Sequence, residues 1–227
     1  MSVYAISDLH LSFGVNKPMN VFGAQWDHYE EKIKADWCAR VKADDVVIIP
    51  GDVSWGMTLK EALPDFLFID QLPGKKLYMR GNHDYYFSTK TRLERFFAEN
   101  AIDSIQILSN NAYETDSYIV CGARGWSKTE TKDSALNEKI IAREEIRLRL
   151  SLEEAKKLAS DKPLLVAMHF PPFIANFQSI MQEYNVQKCI YGHLHGYGHQ
   201  QIKQGNIQGI EYIMVSCDYT DFKLTLL

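Results

Sequence analysis

The stretch Arg80-Gly81-Asn82-His83-Asp84 follows the short apolar run Lys76 to Met79 and carries the densest chemical signal in the sequence. Glycine allows a tight turn, so three functional side chains follow one another where a buried strand would end. Asparagine, histidine and aspartate all offer ligand atoms to metal ions. The stretch therefore predicts a strand that ends in a functional loop.

The same arrangement recurs along the chain. The five short runs predicted as strands are Val3 to Ile6, Val46 to Ile49, Lys76 to Met79, Leu164 to Met168 and Cys189 to Tyr191. Each is followed by residue types that bind metals, namely Asp8 and His10, Asp52, Asn82 and His83, His169, and His193 and His195. Ligand sites of open α/β sheets lie outside the carboxyl ends of the strands. These residues are therefore predicted to meet at one edge of the fold.

Helical patterns separate most of the predicted strands. The predicted helices are Gln25 to Val41, the segment from a capping box at Thr58 to Leu72, Thr89 to Asn100, and Ser134 to Ala159. Residues 105–121 indicate two or three more strands, and Gln200 to Leu226 returns to short strands. Apolar strands alternating with helices predict an α/β sheet covered on both faces. We see no linker or repeat, so residues 1–227 are predicted to form a single domain.

Composition limits the classes of partner. The chain has 29 acidic and 25 basic residues, so no net positive field attracts long nucleic acid or an anionic membrane. The first apolar run begins at Val3, which leaves no room for a signal peptide, and no run is long enough to span a membrane. The four cysteines are widely spaced and are predicted to be buried free thiols. We therefore expect a cytoplasmic protein.

Taken singly, several motifs have an ordinary structural explanation. Asp8-x-His10 fits a solvated turn, Gly51-Asp52 is a common turn dipeptide, and His169 could be a core histidine. His193 and His195 are more informative, because residues i and i+2 of an extended segment share one side, roughly 6.5 to 7 Å apart. Two metal ions roughly 3.5 to 4 Å apart could each take one of these imidazoles.

Together the motifs resemble the calcineurin-like metallophosphoesterase superfamily, whose signature is D-x-H, G-D, G-N-H-D or G-N-H-E, H and G-H-x-H, in that order. The resemblance spans Asp8 to His195 and is closest to compact prokaryotic-type phosphohydrolases. It implies a layered β-sandwich flanked by helices, with a metal site at the carboxyl ends of the strands. Asp8, His10 and His195 would hold one metal ion, Asn82, His169 and His193 a second, and Asp52 would bridge the two. His83 and Asp84 match a pair that acts on the leaving group.

The ligand types fit this implication chemically. Carboxylates, imidazoles and an amide oxygen suit two divalent or mixed-valence ions of Mn, Fe, Zn, Ni or Co, with Mn or Fe favoured. Two cations sharing Asp52 would lower the pKa of a bridging water, and the resulting hydroxide would attack phosphorus. His83 is then expected to protonate the leaving oxygen, and Asp84 to fix the tautomer of His83.

Substrate-binding residues are less clearly marked. Arg124 is a candidate phosphate clamp, although an ordinary surface ion pair explains it equally well. Trp55 and the aromatic run Tyr85-Tyr86-Phe87 could line a pocket or pack beneath the loops. The polar loop 127–134 could act as a lid.

The sequence favours some functions over others. The segment after Asp52 lacks the arginine of the V-D-R-G block in protein serine/threonine phosphatases, which disfavours that role. We expect hydrolysis of a small phosphomonoester or phosphodiester. A nuclease-like phosphodiesterase and a non-catalytic, metal-bearing scaffold are the alternatives. The sequence does not indicate an oligomeric state.

Overall fold

The computed structural model describes residues 1–227, which form eleven strands and five α-helices. The strands are β1 (Val3–Ala5), β2 (Val46–Ile49), β3 (Lys75–Tyr78), β4 (Ile105–Ile107), β5 (Tyr113–Glu114), β6 (Ile119–Ala123), β7 (Leu164–Met168), β8 (Lys188–Tyr191), β9 (Gly205–Ile207), β10 (Ile210–Met214) and β11 (Thr225–Leu226). The helices are α1 (Tyr29–Arg40), α2 (Leu59–Asp70), α3 (Lys90–Glu99), α4 (Ser134–Lys157) and α5 (Phe177–Glu183).

The strands form two sheets. The first has the order β11-β1-β2-β3-β4, in which β1 to β4 are parallel and β11 is antiparallel at the edge. The second has the order β5-β6-β7-β8-β10-β9, with four parallel strands in the centre and an antiparallel strand at each edge. Beyond β1, the amide of Ser7 donates to the carbonyl of Val215, which links the two sheets at their carboxyl ends.

Alternation along the strands explains the layers. In β2, Val46 and Ile48 face a core shared with the second sheet, whereas Val47 and Ile49 face the layer of α1, α2 and α3. In β7, Leu165 and Ala167 face the shared core, and Val166 and Met168 face α4 and α5. Each strand is therefore buried on both faces, which is why it appears in the sequence as a continuous apolar run.

The helices α2, α3 and α4 begin directly after capping residues. Helix α1 begins at Tyr29, later than the predicted start at Gln25, and has no side-chain cap. Thr58 accepts from the amide of Glu61, whose side chain accepts from the amide of Thr58, so the predicted capping box of α2 is present. Thr89 caps α3 and Asp133 caps α4 in the same way, by accepting an amide hydrogen bond. These caps fix the start of each helix next to the loops that carry the polar residues.

The fold class is confirmed: a layered β-sandwich flanked by helices. The apolar runs predicted one sheet, whereas the five predicted strands divide between two sheets. An apolar run does not show whether helices or a second sheet cover the strand. All four cysteines are free, but Cys38 is exposed on the outward side of α1, so the prediction that it is buried is wrong. None of the helices combines the length and the apolar character that crossing a membrane requires.

Candidate metal centre

The loops that follow β1, β2, β3, β7 and β8 meet at the carboxyl ends of the two sheets. The amide of Asp8 donates to the carbonyl of Gly51, and the amide of Gly192 donates to the carbonyl of His169. Each of these bonds joins two loops of the same sheet, and the amide of His193 donates to the carboxylate of Asp8 between the two sheets. They bring together all seven predicted ligands, which are Asp8, His10, Asp52, Asn82, His169, His193 and His195.

Asp8, His10 and His195 form one group of potential ligands. His195 Nε2 lies 3.3 Å from Asp8 Oδ1 and 3.4 Å from His10 Nε2. Asp8 and His10 are buried, and His195 lies at the edge of the open cavity described below. These are the three residues that the sequence predicts as ligands of the first metal ion.

The second group is centred on Asn82. Its Oδ1 atom lies 2.6 Å from His169 Nε2 and 3.1 Å from His193 Nδ1. Asp52 Oδ2 lies 3.4 Å from His169 Nε2 and 3.9 Å from His10 Nε2, so a single carboxylate oxygen faces both groups. A ligand that bridges two metal ions has to face both groups, and bridging is the role that the sequence predicts for Asp52.

The donor set fits divalent cations. The Nδ1 atom of His169 lies 2.9 Å from the carbonyl of Pro50 and is assigned as the donor there, because a carbonyl can only accept. In the neutral ring, Nε2 then presents a lone pair to the oxygens of Asn82 and Asp52. Without a proton between them, the lone pairs of this nitrogen and of the two oxygens repel one another. A cation at the point where they converge would bind all three atoms.

The charge of the centre depends on how the carboxylates and imidazoles compensate each other. Burial raises the pKa of Asp8, but attraction to His195, His169 and His10 outweighs burial and holds the pKa well below 3.8. Burial lowers the pKa of His10 to about 4. Burial and repulsion from His169 lower the pKa of His193 to about 3. Both imidazoles are therefore neutral near pH 7, the form that binds metal.

The other two imidazoles behave differently. Burial opposes their charged forms, but attraction to Asp52 raises the pKa of His169 to about 9, and attraction to Asp8 raises that of His195 to about 10. Without metal, two imidazolium protons therefore occupy positions where a cation would bind. A metal ion must displace them, which makes its affinity depend on pH.

The backbone of the ligand loops is unusual. Asp8, His10, Asp52 and His193 all have positive φ, at 60°, 44°, 53° and 73°. Residues other than glycine seldom adopt this region, and such strain concentrates at functional sites. The hydrogen bonds between the loops hold the chain in this conformation.

Asp218 is a functional candidate that the sequence did not reveal. Its Oδ1 atom lies 2.8 Å from His195 Nδ1, and its Oδ2 atom lies 3.3 Å from His199 Nε2. A carboxylate on Nδ1 orients the ring and directs Nε2 towards the metal position. Asp218 follows β10 without a recognisable motif. The only available signal was that it follows a strand, as the ligands do.

His83 lies beside the centre on an open cavity of about 740 Å³ that it shares with His10, His195 and Asp218. The ring of Trp55 packs against His83, with 4.7 Å between centroids, and stacks on His10 at 4.8 Å. The Nδ1 atom of His83 has no hydrogen-bond partner. His83 thus faces the space that a substrate would occupy, and Trp55 restricts its orientation.

The structure does not bring Asp84 to the ring of His83, contrary to the expected orienting role. The carboxylate of Asp84 accepts from the amides of Gly81 and Asp52 on Oδ2, and from the amide of Val53 and the hydroxyl of Tyr86 on Oδ1. Four donors occupy the lone pairs of both oxygens. Asp84 therefore joins the loops after β2 and β3, and its function is to position them.

The remaining predicted residues lie in different surroundings. The guanidinium of Arg124 lines a second cavity, away from the cavity of His83, so a role as phosphate clamp at the metal centre is not supported. Tyr86 and Phe87 are buried, whereas Tyr85 is exposed. In the polar loop 127–134, Glu130 Oε1 accepts from Asn82 Nδ2 at 3.4 Å, so this loop contacts a ligand residue.

Comparisons with known proteins agree with this geometry. The family model of calcineurin-like phosphoesterases matches residues 1–197, and the chain belongs to that family. Membership implies metal-dependent hydrolysis of phosphoesters. No curated protein matches the sequence.

Solved structures show a similar fold. One is the protein of unknown function AQ665 from Aquifex aeolicus, 17% identical, with a TM-score of 0.52 over 99% of this chain and 95% of that chain. Another is TT1561 of Thermus thermophilus, 11% identical, with a TM-score of 0.56 over 99% of this chain and 97% of that chain. At these identities the similarity concerns the fold alone.

Proposed function

We propose that the chain hydrolyses a small phosphomonoester or phosphodiester at a dinuclear metal centre, with His83 as the proton donor to the leaving group. The observation that carries the proposal is that two groups of predicted ligands face Asp52, and that His10 and His195 of the first group line one cavity together with His83. Mn or Fe is favoured by the oxygen and imidazole ligands.

The residues of this chain have separable roles in such a reaction. Asp8, His10 and His195 would hold one ion, Asn82, His169 and His193 the other, and Asp52 both. When bound, the two ions would polarise the phosphate and activate water as the nucleophile. His83 faces the cavity and would donate a proton to the departing oxygen.

The walls of the cavity indicate the class of leaving group. Met19, Phe22, Trp26, Trp55 and Tyr197 line it, together with Gln25, and it is lined by no lysine or arginine. Phe22 and Tyr197 are exposed at the rim. Apolar and aromatic walls suit a small leaving group with a flat or apolar part. The absence of lysine and arginine from the lining disfavours a polynucleotide, whose binding depends on such side chains.

The proposal can be tested with His83→Ala. We expect turnover of a metal-loaded enzyme on alkyl phosphoesters to fall by about 10²- to 10⁴-fold, because an alkoxide needs a proton to leave. Turnover of p-nitrophenyl phosphate and bis-p-nitrophenyl phosphate should fall much less, because nitrophenolate leaves without one. The control is His28→Ala, since His28 is exposed on the surface and outside the centre.

Metal content must be measured in the same samples. His83→Ala should retain the metal content of the unchanged protein. Equal losses on alkyl and nitrophenyl esters would contradict the role of His83, and no hydrolysis of any ester by the metal-loaded protein would favour the scaffold alternative.

A further inference from the structure

A second cavity, of about 360 Å³, lies where the loop after β3, the start of α3 and the helix α4 meet. We call it the arginine pocket. Its charged lining residues are Arg80, Lys90, Arg124, Arg147 and Glu144, and it shares no lining residue with the cavity of His83. Four cationic side chains against one carboxylate leave three net positive charges, in a chain whose own net charge is -4.

The internal ion pairs do not satisfy these cations. Glu144 is fully buried, and its Oε1 atom lies 3.4 Å from Arg147, 3.7 Å from Arg124 and 4.0 Å from Arg143. Neither oxygen of Glu144 makes a hydrogen bond. One carboxylate thus faces three guanidinium groups and can neutralise only one of them.

Two of the guanidinium groups each have a buried N–H donor that lacks a hydrogen-bond partner. Arg124 has a side chain that is only 10% exposed, and its Nε atom is buried without a hydrogen-bond partner. The Nε atom of Arg80 is also buried and unpartnered, and Arg80 takes part in no ion pair. Buried donors of this kind require an acceptor.

The rest of the lining suits a tetrahedral oxyanion. Ser88, Thr89 and Ser109 add hydroxyl groups, and α3 begins at the pocket with Lys90. A helix N-terminus carries partial positive charge, and the planar fork of a guanidinium matches two phosphate oxygens. Lys90 is partly neutralised by Glu94, 3.7 Å from its Nζ atom, so the arginines supply most of the charge.

We propose that the arginine pocket binds the phosphate group of a small anion at a site separate from the metal centre. The volume of the pocket is at the lower end of the range for small-molecule sites, which fits a free phosphate or a small phosphomonoester. The pocket adjoins the ligand loops, because the carbonyl of Arg124 accepts from the amide of His169 at 3.1 Å and Arg80 precedes Gly81-Asn82. This proposal does not depend on hydrolysis by the metal centre.

Titration calorimetry with inorganic phosphate tests the proposal on the metal-loaded full chain at constant ionic strength. We expect two phosphate ions per chain, one at each site. The double variant Arg80→Gln/Arg147→Gln should lose the arginine-pocket site, with a Kd weakened by about tenfold or more, and should keep its metal content. His193→Ala, which impairs the metal centre, should retain the arginine-pocket site.

The choice of variants keeps the test clear. Arg80 and Arg147 are partly exposed, so their replacement should leave the fold intact, which circular dichroism and the Tm will check. Arg95→Gln is the matched control, because Arg95 is exposed on α3 and does not line the pocket.

Methylphosphonate, which cannot be hydrolysed, mimics an esterified phosphate. Tighter binding of methylphosphonate than of phosphate would identify a phosphomonoester as the occupant, and weaker binding would identify the free ion.

Two results would overturn the proposal. One is that the unchanged protein binds phosphate only at a site that His193→Ala abolishes. The other is that Arg80→Gln/Arg147→Gln binds phosphate with the affinity and stoichiometry of the unchanged protein. Failure of ester hydrolysis, by contrast, would affect only the proposed function of the metal centre.

Discussion

At the scale of single residues, Asp218 lies outside the predicted ligand set but contacts one of its members, His195. It holds Nδ1 of His195 at 2.8 Å and accepts from the amide of Gly196 at 3.3 Å. Both contacts fix the direction of the Nε2 atom that faces Asp8. Partners of this kind contribute substantially to metal affinity.

We expect Asp218→Asn to weaken metal binding by about 10- to 100-fold, because the ring of His195 loses the carboxylate that orients it. Metal competition with a chromophoric chelator measures this change. Asp221→Asn is the control, since the exposed Asp221 pairs only with Lys223. An affinity for metal in Asp218→Asn equal to that of the control would contradict the role of Asp218.

The two protonated imidazoles give a second prediction at this scale. Near neutral pH, His169 and His195 bind protons in the metal-free protein, because their pKa values are raised to about 9 and about 10. The metal-bound protein does not carry these protons, so metal affinity should increase as pH rises between about 6 and 9. Calorimetry in buffers of different ionisation enthalpy should detect proton release. Metal binding without proton release would contradict the assignment of both histidines as ligands.

Single residues also show what the sequence can and cannot predict. The seven predicted ligands were recognisable because each follows a strand in a short motif, and the structure brings them together. The role of Asp84 was predicted wrongly, because adjacency to His83 in sequence does not show where a carboxylate points after a turn. Asp218 was missed because its contact with His195 depends on how β10 lies beside β8, which no local pattern records.

At the scale of elements, the loops after β2 and β3 determine the position of Asp52. The amide of His83 donates to Asp52 Oδ1 at 2.8 Å, and Asp84 accepts amide hydrogen bonds from both loops. The loops approach each other so closely that a Cβ atom on Gly81 would overlap Asp52 Oδ1 and the Asp52 amide nitrogen. Position 81 therefore requires glycine, because the two loops approach each other too closely to leave room for a Cβ atom.

We expect Gly81→Ala to displace Asp52 and to reduce metal content and hydrolysis together. Backbone crowding cannot be relieved by a side-chain rotation, so the loop itself must move. Gly198→Ala is the control, because the nearest atom to its added Cβ lies at 3.6 Å, an ordinary contact. Full metal content in Gly81→Ala would show that the two loops do not need this packing.

At the scale of the whole molecule, the two sheets share one core. Val3, Ile48 and Leu77 of the first sheet pack with Leu165 and Ile190 of the second. The apolar runs predicted that the strands are buried but not that they divide into two sheets, since an apolar run is equally compatible with a helix layer or a second sheet. The layered β-sandwich was implied only by the family resemblance. The prediction of a single domain follows from the sequence, and the shared core allows a direct test of it.

We expect Ile190→Ala to lower the free energy of unfolding by about 2 to 5 kcal/mol, because Ile190 is fully buried between the sheets. Ile146→Ala, on the exposed side of α4, should change the free energy of unfolding by about 0.5 kcal/mol or less. Denaturant unfolding should show one transition. Tryptophan fluorescence reports mainly the layer of the first sheet, to which Trp26, Trp37 and Trp55 belong, and circular dichroism reports both. Separate transitions would contradict a single domain.

We propose above all that the carboxyl ends of the two sheets hold two metal ions that share Asp52. The most direct test of this proposal is the metal content of the reconstituted chain of residues 1–227, measured by elemental analysis beside Asp52→Asn. We expect two ions per chain for the unchanged protein and fewer than two for Asp52→Asn, with Mn or Fe retained best. One ion or none in the unchanged protein, or two in Asp52→Asn, would contradict the claim.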